Sequence, residues 1–308
     1  METRFHISGP LIYLIELDFE PHVESPAPVF HAVGSLIGAL EAFNGSLLLS
    51  LGIEAASTIA LEEVRAGSLY TVLRDIVEGL PDSGLEHMDL RRIIGRYLVK
   101  GKYAALRWLD RRIESGSGDL NDLRGSLASM AAETGALAIP AYPPIPRRRL
   151  IDDLARIDDA TRSLNPRDRG RFVCEDGTAD LHPGVALDVE NIEASLIARR
   201  TRTEGESILK VKKADFLGDS MWDFRFESRT ITAKIADEEW LKKFRARKEP
   251  LAPGDALHVR LITEVSYDED GEVLAEHSTV ASVIEVIRQA TGSQMLLESA
   301  REESGRAS

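Results

Sequence analysis

The first 80 residues carry hydrophobic patterns that predict a β-α-β-β unit. Residues 4–18 alternate apolar and polar side chains around a Gly-Pro break, which is typical of one or two strands. Residues 26–51 repeat apolar side chains at spacings of three and four, which predicts a helix with a wide apolar face. Residues 57–64 and 68–77 predict a β-hairpin. The helix must cover one sheet face, because neither element buries its apolar side alone.

Helical patterns dominate the next segment of the chain. Residues 88–113 place Ile94, Tyr97 and Trp108 on one side of a long helix, and a shorter helix is predicted over 120–133. A proline-rich connector between residues 140 and 146 follows, since each proline fixes its own φ and restricts the residue before it. A helix with charge pairs four residues apart is then predicted over 147–164.

After Asn165-Pro166 the pattern becomes mostly that of strands, with one helix over 237–248. The predicted strands are 171–175, 185–189, 193–200, 206–213, 221–227, 229–235, 256–267 and 273–287. From residue 206 the order β-β-β-α-β-β is that of an OB-type five-stranded barrel. We therefore predict an α+β protein with a helix-rich domain over 1–168, a barrel-like domain over 169–290 and a flexible tail over 291–308.

Composition is that of a chain able to bury a sizeable core. The 308 residues are 43% hydrophobic and 29% charged, which excludes disordered, collagen-like and disulfide-built classes. A single cysteine, Cys174, allows no intrachain disulfide. We expect no signal peptide and no membrane-spanning helix, because the longest apolar run considered, residues 42–53, is too short. These features favour a cytoplasmic bacterial protein.

Charge is distributed unevenly along the chain. Residues 1–90 hold 3 basic and 14 acidic residues, a net charge of −11. Residues 91–213 hold 23 basic and 18 acidic residues, a net charge of +5. Residues 214–308 hold 12 basic and 19 acidic residues, a net charge of −7. The total of −13 therefore does not exclude an anionic partner for the middle segment.

Basic residues form a stripe on the predicted helix 88–113. Its members fall within about 100° of one another on a helical projection and are Arg92, Arg96, Lys100, Arg107 and Arg111. The stripe is interpreted as a solvated face, as a partner for the acidic residues of 1–90, or as a site for nucleic acid or phospholipid. We favour pairing with residues 1–90, within the chain or between subunits. Two further basic clusters share these alternatives: Arg147, Arg148 and Arg149, then Arg199, Arg200 and Arg202.

Motifs for catalysis and cofactor binding are not found in the sequence. It lacks phosphate-loop, dinucleotide, nucleophile-elbow, kinase and zinc signatures. Cys174 is interpreted as a buried apolar residue in preference to a nucleophile paired with His182. Asp268, Asp270 and Gly271 predict a hairpin turn in preference to a calcium loop. An alternative that we do not favour is a cation site formed by the carboxylates of Asp176, Asp180, Asp188 and Glu190. We expect no cofactor and no metal.

Aromatic residues on one predicted barrel strand permit two interpretations. Trp222, Phe224 and Phe226 alternate and so share a face, and Trp240 lies on the following helix. Exposed rings on an OB-type barrel would stack the bases of a single strand. We favour the alternative, in which the rings form the barrel core.

Parts of the sequence resemble uncharacterised bacterial proteins. Residues 206–211, 222–226 and 253–257 resemble the C-terminal barrel of such proteins, and the first 80 residues resemble their front half. These proteins belong to mobile-element or anti-phage loci. The resemblance implies a role related to phage and carries no catalytic residue.

Function is therefore expected to lie in binding. The leading hypothesis is a non-catalytic interaction or sensor subunit of a bacterial multi-protein system for anti-phage defence. The alternatives are a nucleic-acid-binding protein that uses the basic segment 91–213 and an enzyme with a site that carries no known motif. Because residues 26–51 are apolar on more than one face, we also predict a homodimer or a complex with a protein partner.

Overall fold

The computed structural model contains two compact units, residues 1–195 and residues 196–308. Both α-helices and β-strands are present, so the predicted α+β class is confirmed. The predicted tail over 291–308 and the proline connector up to residue 143 lie outside the described residues. The structure describes residues 11–19, 27–65, 69–79, 87–116, 118–133, 144–162, 164–165, 167–182, 186–214, 221–252 and 254–288.

The first unit is built on a five-stranded antiparallel sheet. Its strand order is β2-β3-β1-β4-β5, so the first strand lies at the centre. Cross-strand partners Ile15, Thr71 and Phe172 are buried on the same face of this sheet. The strands are β1 (Ile12–Asp18), β2 (Ala56–Arg65), β3 (Leu69–Glu78), β4 (Arg169–Cys174) and β5 (Gly177–Leu181).

Helices cover the buried face of the sheet. α1 contacts β2 and α4, and α2 contacts β3, β4, β5 and α3. The predicted helices over 26–51, 88–113 and 120–133 are confirmed within one or two residues at each end. The helices of this unit are α1 (Ala27–Ser50), α2 (His87–Ser115), α3 (Leu120–Glu133), α4 (Arg147–Ala160) and α5 (Val189–Leu196).

Two predicted strands between residues 185 and 200 are wrong. The segment forms α5, with Asp188 accepting a hydrogen bond from the Asn191 amide at its N-terminus, as helix-capping residues do.

The domain boundary also differs from the prediction. Residues 14–18 of β1 pair with residues 169–173 of β4, so the first strands after residue 168 complete the N-terminal sheet. The units divide between Ser195 and Leu196, and not at residues 168 and 169. The change from helical to strand pattern marked a change of secondary structure within one unit, and not the edge of that unit.

The second unit contains a closed five-stranded barrel. The strands follow the order β10-β8-β7-β6-β9, and β8 pairs with β10 in parallel while the other pairs are antiparallel. One helix lies between β8 and β9, as in the predicted OB-like order. The elements are β6 (Arg199–Lys213), β7 (Trp222–Phe226), β8 (Arg229–Ile235), α6 (Glu238–Arg245), β9 (Ala256–Tyr267) and β10 (Val273–Ile287).

Aromatic residues fill the barrel and attach α6 to it. The ring of Trp222 lies 6.0 Å from Trp240 and 5.1 Å from Phe244, centroid to centroid, and all three side chains are buried. Asp237 caps α6 by accepting from the Trp240 amide, and its other carboxylate oxygen accepts from the Val283 amide of β10. The barrel core preferred from the sequence is therefore confirmed for Trp222 and Phe224.

A charged network is buried between the sheet and its helices. The ammonium of Lys102 on α2 donates to Asp75 at 2.6 Å and to Asn44 at 2.8 Å, and Asn44 also donates to Asp75 at 2.8 Å. The exposed fraction of the Lys102 side chain is 0%. Burial lowers the pKa of Lys102, whereas the negative charge of Asp75 raises it. The network therefore joins α1, α2 and β3 at one point.

Close approach between α1 and α2 depends on a glycine beside this lysine. A Cβ atom at Gly101 would lie 2.8 Å from a methyl group of Leu47, which is itself fully buried. A side chain at residue 101 therefore requires a shift of the Leu47 side chain or of α1.

Helix α1 is also long and apolar enough to cross a membrane, judged by length and composition alone. In the fold, 56% of its most apolar window is buried. Core helices of other proteins satisfy the same criterion. Polar residues of α1, notably Asn44 and Ser46, are buried and hydrogen-bonded to Asp75 and Asp153.

We predict that Lys102→Met lowers the free energy of unfolding by about 3–5 kcal/mol, because Asp75 would remain buried without its cation. Urea denaturation followed by circular dichroism measures this loss. The double variant Lys102→Met with Asp75→Asn should recover most of it, since no uncompensated charge then remains. A single variant within about 1 kcal/mol of the unmodified protein would contradict the role assigned to the network.

We also predict that a fragment of residues 196–290 is a soluble, folded β-rich domain, because it contains the whole barrel core. A fragment of residues 171–290 should be less soluble, since it carries β5 and most of β4 without their partner β1. Size-exclusion chromatography and circular dichroism of the two fragments compare them directly. An unfolded 196–290 fragment beside a folded 171–290 fragment would show that the division is misplaced.

Candidate polyanion-binding face

Two members of the predicted basic stripe on α2 form ion pairs within the first unit. Lys100 lies 3.4 Å from a carboxylate oxygen of Asp176, and Arg107 lies 2.5 Å from one of Asp110. Both acids belong to the segment 91–213. Within the described part of one chain, the stripe therefore does not pair with acidic residues of 1–90, and the favoured pairing stays a prediction for contacts between subunits.

The other members of the stripe are directed to solvent. Arg92 and Arg96 are exposed on α2. Arg111 is also exposed, and its Nε donates to the backbone carbonyl of Arg107 at 3.3 Å. The stripe is thus divided between two residues that form ion pairs within the unit and three residues whose side chains are exposed.

Internal partners also occupy the predicted cluster at residues 147–149. Each guanidinium at the start of α4 binds a side chain of another helix, so the cluster connects α4 to its neighbours. The contacts are Arg147 to Asn121 at 2.8 Å, Arg148 to Glu193, and Arg149 to Ser46 at 2.7 Å, and Arg148 also pairs with Asp152 at 3.2 Å. These three arginines are better explained as structural than as an anion site.

The third basic cluster lies at the start of β6. Arg199 lies over the ring of Tyr267, 4.6 Å from its centroid, and Arg202 lies 4.0 Å from Glu264. Further along the strand, Glu204 pairs with Arg260 across the sheet. Charges of both signs alternate here and compensate one another.

The remaining predicted chemistry is not assembled. Cys174 lies opposite Gly177 at one end of the β4–β5 hairpin, and His182 follows the other end, about 16 Å away at strand rise. Burial raises the pKa of Cys174, which disfavours the thiolate. These facts support the buried, apolar interpretation of the cysteine over a pairing with His182.

The proposed carboxylate group is also dispersed. Asp176 precedes β5 and Asp180 lies near its far end, while Asp188 caps α5. Asp268 accepts from the Glu272 amide, and Gly271 has a φ of +80°, so this segment is the predicted hairpin turn.

A basic face that the sequence analysis did not identify lies on the outside of the barrel. Because side chains alternate along a strand, burial of Leu209, Phe224 and Ala233 turns their neighbours outward on β6, β7 and β8. Five of these outward side chains are basic and exposed, and we call them the basic face: Lys210, Lys212, Lys213, Arg225 and Lys234.

Strand pairing brings the members of the basic face together. Lys210 of β6 is the direct partner of Arg225 on β7, and Lys213 is the partner of Asp223. A register shift between residues 211 and 213 leaves Lys212 and Lys213 both exposed. Positive charge therefore runs across two adjacent strands and continues onto β8 at Lys234.

The basic face is electrostatically uncompensated in the part of the barrel that the structure describes. None of its five cations forms an ion pair there. Asp223 is the acidic residue next to these five cations, and it accepts a hydrogen bond from Thr232 at 3.3 Å. Glu204 and Glu206, which are also exposed on β6, lie beside Arg260 and His258 instead. Like charges at this density repel, and a bound polyanion would relieve that repulsion.

The sequence contains a weak signal for the basic face in the alternation of side chains along three strands. Basic residues alternate with apolar ones at 209–212, and polar or charged residues, one of them basic in each segment, alternate with apolar ones at 222–226 and 231–235. The net charge of −7 for residues 214–308 masked Arg225 and Lys234, because acidic residues such as Glu264, Asp268 and Glu276 lie on β9, β10 and their connecting turn. The other three members belong to the basic segment 91–213. The net charge of a sequence segment therefore does not report the charge of one face of the folded domain.

No protein-family model, curated protein or solved structure matches this chain in the comparisons with known proteins.

Proposed function

We propose that this protein is a binding protein that contacts single-stranded nucleic acid along the basic face of its barrel. The observation that supports this proposal is the uncompensated group of five cations on the outer face of β6, β7 and β8. In OB-type barrels, the surface around the second and third strands binds oligonucleotides. In this barrel those strands are β7 and β8.

The chemistry of the basic face suggests binding to the phosphate backbone with little preference for sequence. Trp222 and Phe224 are buried in the core and present no ring for base stacking. Lysine and arginine contacts to phosphates displace counterions, so affinity should depend strongly on salt. A subunit of this kind would hold a strand for other components and would need no catalytic group.

We predict that the full-length protein binds a labelled oligonucleotide of deoxythymidine, with a plot of log affinity against log salt that falls with a slope of about −3.5 for five contacts. Changing Lys210, Arg225 and Lys234 together to Gln should weaken binding and flatten the slope by about 2. Fluorescence anisotropy across a salt series measures both quantities. The fold should change little, because the substituted side chains are exposed.

A charge-matched control separates the barrel from helix α2. The triple variant Arg92→Gln, Arg96→Gln and Arg111→Gln removes the same charge from exposed positions of the basic stripe. This control should bind like the unmodified protein. If the control loses binding and the barrel variant retains it, the segment on α2 is the site, and if neither protein binds, the proposed function is wrong.

Membership in a bacterial multi-protein system for anti-phage defence remains part of the proposal. The support for it is the sequence resemblance together with an exposed face of α1. The side chains of Phe30 and Leu49 are 61% and 52% exposed, and Gly34, Gly38 and Gly45 along the same stripe have open space where a Cβ atom would lie. Small residues on one face of a helix allow a second helix to approach closely.

We predict that Gly38→Leu disrupts self-association or a complex with a protein partner while leaving the melting temperature of the chain equal or higher. The new side chain has room in the isolated chain and improves helix propensity, but it would collide with a helix packed on the stripe. Sedimentation velocity of the unmodified protein and the variant, at equal concentration, tests the homodimer. An unmodified protein that sediments as a monomer at high concentration would exclude it.

A further inference from the structure

Three potential metal ligands meet at the point where α2 crosses the end of the N-terminal sheet. Asp110 and Glu114 are one helical turn apart on α2, and His182 follows the last residue of β5. One ligand atom from each of these residues lies within 4.8 Å of the other two. The three residues supply two carboxylates and one imidazole.

Two of the three ligands already have the separation that a metal ion would require. Asp110 Oδ1 lies 2.8 Å from His182 Nε2. Adjacent ligands of an octahedral ion with bonds of about 2.1 Å are separated by about 3.0 Å. A small displacement of these two groups would therefore accommodate an ion, and the exposed Glu114 would complete the set from the solvent side.

The carboxylate of Asp110 is oriented by a second hydrogen bond, which its other oxygen accepts. The residue is 2% exposed, and its second oxygen accepts from Arg107 Nη1 at 2.5 Å. Ligating carboxylates are commonly oriented by such a partner, which fixes the direction of the remaining oxygen. The contact leaves Oδ1 directed at His182.

A small cavity of about 20 Å³ lies next to His182. Its walls are mostly apolar, and its polar lining residues besides His182 are Asp158, Asp180 and Thr161. This volume holds one water molecule. Asp158 accepts from the Leu187 amide at 2.9 Å and has Arg162 3.8 Å away, so carboxylates outnumber cations around the imidazole.

We propose that Asp110, Glu114 and His182 bind one divalent first-row transition-metal ion. Mixed imidazole and carboxylate ligands favour Zn²⁺, Mn²⁺ or Fe²⁺ over Ca²⁺ and Mg²⁺, which prefer oxygen alone. Without metal, His182 donates its Nε2 proton to Asp110, because the carboxylate only accepts. For Nε2 to bind the metal, the neutral ring carries its proton on Nδ1 instead, and the remaining coordination positions are taken by water.

Titration of the full-length protein with Zn²⁺ by calorimetry tests the proposal. The expected result is one equivalent bound with micromolar affinity, together with a melting temperature that rises with metal concentration. Glu114→Gln should weaken binding by about tenfold or more, and His182→Ala should do the same. Glu114 is exposed, so its substitution leaves the contacts of Asp110 with Arg107 and His182 in place.

Glu133→Gln is the matched control, because Glu133 is an exposed carboxylate in the last turn of α3. It should bind Zn²⁺ like the unmodified protein. Binding that is weaker than millimolar, or equal in the Glu114 variant and the control, would overturn the proposal and leave Asp110 and His182 as a hydrogen-bonded pair only. Because the barrel is not altered in these variants, the result is independent of the nucleic acid experiment.

Discussion

The buried ion pair between Lys102 and Asp75 is the constraint on which the first unit depends. A lysine that is fully removed from water is costly unless a carboxylate and further hydrogen bonds compensate its charge. Here the compensation comes from β3 and from Asn44 of α1, so both must reach their positions before the charge is tolerated. The ring of Tyr13, with its centroid 5.0 Å from the ammonium, adds a contact from the central strand.

Polar residues also explain how helix α1 acquires a single orientation. An apolar helix in an apolar layer has many rotations of similar energy, but Asn44 and Ser46 each permit only one. Asn44 binds Asp75 of the sheet, and Ser46 binds Asp153 of α4 at 2.5 Å. Burial raises the pKa of Asp153, and the Ser46 bond opposes that shift. The exposed side of α1 is thus defined by the bonds made on its buried side.

Local periodicity in the sequence was sufficient to predict the long helices and the barrel order. It was insufficient wherever a long-range pairing decided the outcome. The pairing of β4 with β1 joins segments more than 150 residues apart, and no turn or repeat near residue 169 indicates it. For the same reason, the meeting of Asp110 with His182 was missed, because neither residue stands in a metal-binding motif. The basic face was missed because alternation in a strand separates neighbouring residues onto opposite surfaces.

The hydrogen bonds that compensate the buried Lys102 charge depend on the small size of Gly101. A methyl group at this position would press against the Leu47 side chain, so that either this side chain or α1 would have to shift. The hydrogen bond of 2.8 Å from Lys102 to Asn44 joins the same two helices. A shift of α1 would therefore also weaken the compensation of the buried Lys102 charge. Natural variation at residue 101 should therefore be restricted together with that at residues 44, 75 and 102. Descendants of this chain that exchange the lysine for an apolar residue would be the ones free to replace the glycine.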